Sequence, residues 1–194
     1  MERKDKYYTK AKKDNYRSRA SYKLLELQSK FNIIEDNSSV VEFGSAPGGW
    51  TQVLKGITSK SIICIDINNM EAIDGVTFLR GNINDPGLKS KINDILMLNN
   101  MPCVSTVLSD AMVHTSGDYS RDHYESYMLC ENVMKNSYDL LCHGGNMVLK
   151  QFQGEMTSIF INEWKSKFNF YRITKPNASR QHSREVYIIL KGKH

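Results

Sequence analysis

The stretch Ser39-Val-Val-Glu-Phe-Gly44-Ser-Ala-Pro-Gly-Gly-Trp50 predicts a short strand, a glycine-rich turn and a helix over residues 48–56. Such a turn lets a ligand approach the backbone closely, at the positive end of a helix dipole. Its G-x-x-x-G-G pattern differs from the G-x-G-x-x-G of dinucleotide sites and lacks the Lys-Ser/Thr of a P-loop. The turn therefore favours a nucleoside cofactor without a pyrophosphate. The alternative is an ordinary tight turn between a strand and a helix.

Strands and helices alternate along the rest of the chain. Apolar runs predict strands over residues 61–66, 76–79, 104–110 and 145–150. Periodic apolar positions predict helices over residues 18–29, with Ser18 as N-cap, and over 87–98, 119–142 and 155–168. Two final strands, 169–174 and 185–191, have no helix between them and predict an antiparallel hairpin. The expected fold class is α/β, with a mostly parallel seven-stranded sheet and helices on both faces.

Length and composition fit a single domain over residues 1–194. The chain is 40% hydrophobic and 24% charged, which excludes the disordered, collagen-like and disulfide-scaffold classes. No apolar run reaches the ~18–20 residues that span a bilayer. The charged start, Met1-Glu-Arg-Lys, lacks the apolar region of a secretory signal. We expect a monomer without a membrane partner.

The cysteines and histidines show no metal-binding pattern. None of the four cysteines forms a C-x-x-C pair, and the five histidines lack H-E-x-x-H spacing, so no metal site is expected. Cys64 and Cys103 lie in apolar, strand-like runs and are predicted to be buried thiols. Free thiols indicate a reducing, cytoplasmic setting.

Charge is divided unevenly along the chain. Residues 1–23 carry a net charge of +6, residues 165–194 carry +7, and residues 24–164 carry −8. Tyrosines at positions 7, 8, 16 and 22 are interleaved with the N-terminal cations. Cations neutralise phosphates and aromatic rings stack on bases, so a basic arm over residues 1–17 favours nucleic-acid binding if both basic ends meet in the fold. A solvated, flexible tail is the alternative.

Polar side chains follow the predicted strands, where ligands bind in parallel sheets. Asp66 ends the second strand, and a carboxylate there accepts hydrogen bonds from ribose hydroxyls. Asn82 follows the third strand and could meet the edge of an adenine, although a turn residue is equally common there. Asp110 and Lys150 end adjacent strands and place a carboxylate and an ammonium over the expected cofactor.

Five motifs, in order, resemble the FtsJ/RrmJ family of ribose 2′-O-methyltransferases. They are Arg17-Ser-Arg-Ala-Ser-Tyr-Lys-Leu, Val41-Glu-Phe-Gly-Ser-Ala-Pro-Gly-Gly-Trp-Thr-Gln, Leu108-Ser-Asp, Val148-Leu-Lys-Gln-Phe-Gln-Gly and Ser179-Arg-Gln-His-Ser-Arg-Glu-Val-Tyr. The match extends from about Tyr16 to Lys191. It implies a Rossmann-like fold and S-adenosylmethionine as cofactor.

The resemblance also implies roles for particular residues. The family's catalytic tetrad falls on Lys23, Asp110, Lys150 and Glu185. The expected cofactor contacts are Gly44, Ser45, Pro47, Gly48, Gly49, Trp50, Asp66, Asn82 and Asp110. The expected RNA contacts are Arg17, Arg19, Arg180 and Arg184, together with the basic arm from Arg3 to Arg19.

Two departures from the family pattern concern the same end of the sheet. Asn82 stands where the family usually has Asp, so one negative charge is missing near the cofactor. After Asp110 the chain reads Ala111-Met-Val-His rather than Met-Ala-Pro-Asn, which changes the loop beside the substrate.

The expected reaction is methylation of a ribose hydroxyl in RNA. Two carboxylates beside Lys150 favour its charged form, so we expect it to steer the attacking oxygen as a cation rather than remove its proton. Compact members of the family act on a uridine of large-subunit ribosomal RNA. The resemblance therefore implies ribosomal RNA or the large ribosomal subunit as the partner. A tRNA substrate and a non-catalytic ribosome-assembly factor remain alternatives, whereas the turn pattern disfavours an NAD-linked oxidoreductase.

Overall fold

The computed structural model of the protein describes residues 6–194, and its seven strands form one sheet. The strands are β1 (Val40–Phe43), β2 (Ile62–Asp66), β3 (Val76–Arg80), β4 (Val104–Ser109), β5 (Leu141–Phe152), β6 (Phe168–Thr174) and β7 (Glu185–Lys193). The helices are α1 (Lys6–Lys13), α2 (Ser21–Phe31), α3 (Gly49–Ile57), α4 (Leu88–Leu98), α5 (Tyr119–Ser137) and α6 (Glu155–Trp164), followed by a 3₁₀ turn (Lys165–Lys167).

The strand order, β3-β2-β1-β4-β5-β7-β6, confirms the predicted sheet. Strands β1 to β5 pair in parallel, and β7 lies antiparallel between β5 and β6. The order reverses between β1 and β4, because the chain moves outward to β3 and returns to the other side of β1. A crevice opens at the carboxyl ends of the strands at such a switch point.

Each face of the sheet carries its own hydrophobic core, because successive strand side chains point to opposite faces. Val41 and Phe43 belong to the core under α4, α5 and α6. Val40 and Tyr187 belong to the core under α2 and α3. The predicted placement of helices on both faces is confirmed.

Several predicted element bounds were wrong. Helix α5 ends at Ser137 rather than residue 142, because Leu141 already pairs with Val104 as the first residue of β5. Helix α6 ends at Trp164, before the 3₁₀ turn. Ser18 is not the N-cap of α2. That helix begins at Ser21, and its N-cap residue is Ala20. A turn precedes that helix instead, in which the backbone carbonyl of Ser18 accepts from Ser21 N and Oγ at 3.3 and 3.0 Å.

The cysteine prediction was right for Cys64 and wrong for Cys103. Cys64 is buried and free, as is Cys130. Cys103 forms a disulfide with Cys142. The two residues flank the Val104–Leu141 pair of β4 and β5, and the sequence pattern did not show that β5 begins so early. Cys103 therefore lends no support to a reducing compartment.

The N-terminal arm is folded over its described part. Helix α1 packs through Ala11 against Tyr22 and against Ala178 in the loop between β6 and β7. Residues 1–5, including Arg3 of the predicted arm, lie outside the described residues. Between residues 6 and 194, every helix is too short or too polar to cross a membrane.

Candidate active site

The turn after β1 is held by contacts to the rest of the chain. Gly44 has a φ of +74°, and a Cβ atom on it would lie 2.5 Å from the Cα of Ala111. The backbones that follow β1 and β4 therefore touch, which only glycine permits at this position. Gly48 and Gly49 pack instead against the side chains of Arg17 and Ser18.

The turn residues divide between two sides of the backbone. Gly44 and Ala46 face a cavity, whereas Trp50 is buried and donates from Nε1 to the carbonyl of Ala20 at 2.8 Å. Pro47 accepts from Arg17 through its carbonyl. Pro47, Gly48, Gly49 and Trp50 thus have packing contacts beneath the turn, and their predicted cofactor contacts stay a prediction. Small or flat residues are suited both to close packing of the chain and to close approach of a ligand. The sequence alone does not distinguish these two roles.

The first of two cavities lies at the carboxyl ends of β1 to β4 and has a volume of about 600 Å³. We call it the Asp66 cavity. The residues that line it and matter here are Gly44, Ala46, Asp66, Asn82, Asp110, Met112, His114, Glu125 and Lys150. The sequence-predicted residues Gly44, Asp66, Asn82 and Asp110 thus share one enclosure.

Asp66 and Asn82 are exposed to different degrees and are fixed by local hydrogen bonds. Asp66 is half-buried, and its Oδ2 accepts from the backbone N–H of Ala46 at 2.9 Å while its Oδ1 accepts from that of Asn68 at 2.8 Å. Asn82 is exposed, and its side-chain oxygen accepts from the N–H of Asn84. Ser45 is buried, and its hydroxyl has no hydrogen-bond partner within residues 6–194.

The second cavity lies beside β5 and β7 and has a volume of about 670 Å³. We call it the Glu185 cavity. Its lining includes all four predicted tetrad residues and three of the four predicted RNA-contact arginines: Arg19, Lys23, Asp110, Lys150, Arg180, Arg184 and Glu185. Met112, Thr115 and Phe152 line it as well.

The two cavities meet at three residues. Asp110, Met112 and Lys150 line both of them. A ligand in each cavity would therefore contact the same carboxylate and the same ammonium group. This arrangement suits a group transfer between two bound molecules.

Two ion pairs make up the predicted tetrad. Lys150 Nζ lies 3.1 Å from Asp110 Oδ1 and donates to the Asp110 carbonyl at 2.6 Å. Lys23 Nζ lies 2.5 Å from Glu185 Oε1. The side chains are at most 14% exposed, so these pairs are screened much less by solvent than surface pairs are. The four residues come from α2, the end of β4, β5 and β7, which the fold brings to one place.

Tyr187 joins the two ion pairs, and the sequence reasoning gave it no role. Its hydroxyl donates to Asp110 Oδ1 at 2.6 Å, and Lys23 Nζ lies 5.7 Å from its ring centroid. Burial raises the pKa of Tyr187 well above its usual range, so its hydroxyl remains a donor at neutral pH. The signal was present in the sequence, since Glu185 and Tyr187 are two residues apart on one strand and share a face.

Glu42 lies in β1 beneath the glycine-rich turn and is fully buried. Burial raises its pKa to about 8, and the nearby carboxylates of Asp110 and Asp66 also raise it. Its Oε2 accepts from the hydroxyl of Thr51 at 2.7 Å and from the thiol of Cys64 at 3.3 Å. A pKa of about 8 keeps Glu42 mostly in its neutral, protonated form at pH 7.

Arg17 does not join the other three predicted RNA contacts. Its guanidinium donates to the carbonyls of Pro47, Glu71 and Ala72 at 3.2, 2.7 and 3.2 Å. It also lies 3.4 Å from the Glu71 carboxylate. Arg17 therefore links the turn after β1 to the loop after β2, and its predicted RNA contact stays a prediction.

Arg19, Arg180 and Arg184 surround the Glu185 cavity. Arg19 donates to the carbonyl of Ala178. Burial and the charge of Arg180 lower the pKa of Arg19. Arg180 is exposed, whereas the guanidinium of Arg184 stacks over Tyr119 at 4.0 Å from the ring centroid.

The two basic ends of the chain meet beside this cavity. Glu26 of α2 accepts from the side chain of Asn177 at 3.1 Å and from the backbone of Ala178 at 3.3 Å. Helix α1 packs on the same loop through Ala11. The condition on which the nucleic-acid interpretation depended is therefore met. Within residues 6–194, His, Cys, Asp and Glu side chains form no group of three or more that could hold a metal ion.

Comparison with known proteins identifies the family. The family model described as FtsJ-like methyltransferase matches residues 16–193. The chain belongs to this family. The family resemblance predicted from the sequence motifs is confirmed. The matched segment of this FtsJ-like chain covers both cavities and all four tetrad residues.

Individual relatives agree with the FtsJ-like assignment. A protein of Picrophilus torridus named ribosomal RNA large subunit methyltransferase E is 53% identical over 189 residues, which cover 97% of each chain. A protein of Thermoplasma acidophilum with the same name is 47% identical over 97% of this chain and 92% of its own. The crystal structure of a Plasmodium falciparum protein described as a ribosomal RNA methyltransferase matches with a TM-score of 0.81 and 29% identity, over 92% of this chain and 98% of that one.

Proposed function

We propose that this FtsJ-like chain transfers a methyl group from S-adenosylmethionine to a ribose 2′-hydroxyl of large-subunit ribosomal RNA. The observation that carries the proposal is the junction of two cavities at Asp110 and Lys150. One cavity has the size of a small-molecule site, and the other is surrounded by arginines. The names of the relatives support ribosomal RNA as the substrate, and such a substrate implies a cytoplasmic location.

The Asp66 cavity fits S-adenosylmethionine in size and in chemistry. Its volume of about 600 Å³ lies within the range of small-molecule sites, ~300–1,000 Å³. Asp66, Asp110 and Glu125 give it an excess of carboxylates, which suits a ligand with a positively charged sulfur. Asp66 already accepts the backbone N–H of Ala46 and both the backbone N–H and the side-chain amide of Asn68. A carboxylate has about four lone-pair sites, which leaves about one for a ribose hydroxyl.

The proposed chemistry follows from how Lys150 is held. When bound, S-adenosylmethionine would supply an electrophilic methyl group. The ribose 2′-oxygen would bond to the methyl carbon as the carbon–sulfur bond breaks, with S-adenosylhomocysteine as the leaving group and the hydroxyl proton passing to water. An ammonium group has three donors; Lys150 donates to the Asp110 carbonyl and lies 3.1 Å from Asp110 Oδ1. At least one donor is therefore available to a ligand at the junction, where a cation would steer the oxygen and stabilise its developing negative charge.

The other tetrad members support this arrangement. Asp110 fixes Lys150 and is itself fixed by the hydroxyl of Tyr187. Lys23 and Glu185 form the second pair on the side of the cavity that faces the arginines. We assign them to the ribose, because a hydroxyl can donate to the carboxylate and accept from the ammonium.

The experiment is transfer of labelled methyl from S-adenosylmethionine to three substrates: in vitro transcribed large-subunit ribosomal RNA, isolated large subunits and a tRNA mixture. The Lys150→Ala variant, prepared in parallel, controls for contaminating methyltransferases. A 2′-O-methyl group makes the adjacent phosphodiester resistant to alkaline cleavage, which locates the label.

Each outcome of this experiment has a defined meaning. Alkali-resistant label in large-subunit RNA, absent with Lys150→Ala, is the expected result. Label in tRNA alone would contradict the substrate and keep the chemistry. Binding of S-adenosylmethionine without label in any RNA would replace the proposal with a non-catalytic assembly factor.

A further inference from the structure

The segment after Asp110 forms a bridge between the two cavities. Before the bridge, the backbone of Ala111 touches that of Gly44. After it, Ser116 donates from its backbone N–H and from its hydroxyl to the buried Oδ1 of Asp122, each at 2.7 Å. Within the described chain, residues 112–115 make no hydrogen bond between these two attachments. These four residues are thus held by hydrogen bonds only through the segments that flank them, while Val113 among them is half-buried.

Met112 is the apolar member of the junction. Asp110, Met112 and Lys150 are the residues common to both cavities, and Met112 alone among them is uncharged. Its neighbours on the bridge each face one side, since His114 lines the Asp66 cavity and Thr115 lines the Glu185 cavity. The side chain of Met112 therefore stands where ligands from the two sides would meet.

Met112 is 61% exposed, although it stands beside two buried ion pairs. A ligand in either cavity would cover part of it and remove apolar surface from water. The unbranched thioether is flexible and adapts to irregular shapes, so the same side chain can pack against two different molecules.

We infer that Met112 is a contact shared by the methyl donor and the target ribose, and that it determines how tightly each one binds. The inference rests on the proposed function. Packed between the two ligands, Met112 also keeps water away from the Lys150–Asp110 pair, which strengthens the interaction of that pair with the attacking oxygen.

The test compares Met112→Ala with Met112→Leu and Met97→Ala. Leucine keeps most of the apolar volume at the junction. Met97 is a matched control, because it is 68% exposed and lies on α4, away from the lining of both cavities. Calorimetry measures the dissociation constant of S-adenosylhomocysteine without RNA. A filter-binding titration measures that of in vitro transcribed large-subunit ribosomal RNA without the donor, and melting temperatures verify folding.

Met112→Ala is expected to raise both dissociation constants about three- to tenfold. The reason is that each ligand no longer buries part of a methionine side chain when it binds. Met112→Leu should restore both to within about twofold, and Met97→Ala should change neither. Melting temperatures should match the wild type, because the side chain is exposed. A loss confined to one ligand, or no loss, would overturn the inference. Failure of the proposed function is separate, since it would appear as absent methyl transfer to RNA by the wild-type protein.

Discussion

The Glu185 cavity and the Asp66 cavity are built in different ways. Four charged side chains in the first are already paired and almost entirely buried. The second is bounded by backbone turns and by Asp66 and Asn82, which are half-buried and exposed. The charged groups proposed to act on the attacking oxygen are thus in position before any ligand binds. The affinity for the methyl donor depends instead on residues in loops. Changes to the four paired side chains of the first cavity should affect turnover, and changes to the loops of the second should affect donor binding.

The largest effect is expected from Lys150→Ala. Loss of a preorganised cation at the reacting oxygen should lower kcat about 10²- to 10³-fold. Binding of S-adenosylhomocysteine should change much less than kcat, because Lys150 is only one of the residues that line the Asp66 cavity and the turn and Asp66 are untouched. Lys89→Ala, which removes an ammonium paired with Asp139 at the surface, is the matched control. Single-turnover kinetics measures the rate of methyl transfer in both variants. A near-normal rate for Lys150→Ala would refute the role of the cation.

Glu42 is buried in β1 beneath the glycine-rich turn, and its titration should appear in protein stability. Its pKa is raised to about 8 in the folded state from about 4.5, so the folded protein holds a proton that the unfolded chain releases. Stability from this group is complete below about pH 4.5 and is lost as pH rises toward 8. Relative to Glu42→Gln, the wild-type melting temperature should fall by about 10 °C between pH 5 and pH 8. Parallel pH profiles for the two proteins would show that Glu42 is not buried in its neutral form.

Arg180 and Arg17 distinguish an RNA contact from a structural clamp. Arg180→Glu should weaken RNA binding about tenfold and reduce its salt dependence, because a phosphate contact becomes a repulsion. Arg17→Ala should leave RNA binding within about twofold and lower the melting temperature, since three backbone carbonyls lose their donor. Filter binding at several salt concentrations measures the RNA affinity and its salt dependence. Thermal melts measure the stability of each variant. Equal loss of RNA binding in the two variants would restore Arg17 to the RNA surface.

The smallest effect is expected from Asn82→Asp. A carboxylate at the end of β3 adds attraction for a cationic donor and should tighten S-adenosylmethionine binding about threefold. Asn84→Asp adds the same charge two residues away in the same cavity and serves as the control. Calorimetry measures both. Equal tightening in the two variants would mean that only the overall charge of the cavity matters.

The sequence predicted the sheet well because strands and turns are short-range patterns. The tetrad was named from the family resemblance, and the fold brings its four residues into one cavity. Strand alternation, the turn after Phe43 and the polar residues at strand ends are all readable within a few positions. Cys103–Cys142 and the true start of β5 were missed, since the run Leu141–Gly145 contains two glycines and has no strand pattern. Pairing with β4 makes this run a strand.

The contacts of Arg17 and Trp50 were missed for a related reason. Both belong to motifs whose residues are close in sequence to the site, and proximity suggests ligand contact. Only the fold shows that Arg17 reaches the carbonyls of Glu71 and Ala72, and that Trp50 packs on Tyr187 at 5.8 Å between ring centroids. Residue type and spacing are the same for a packing contact and a ligand contact, so sequence alone does not separate them.

The most direct test of the two-cavity account is a crystal structure with S-adenosylhomocysteine and a short RNA that contains the methylated site. The account predicts the adenosine between Asp66 and Asn82, the sulfur facing the junction, and a ribose 2′-oxygen within hydrogen-bond distance of Lys150 Nζ. The RNA backbone should lie against Arg19 and Arg180. Both ligands in one cavity, or a target ribose away from Lys150, would contradict it.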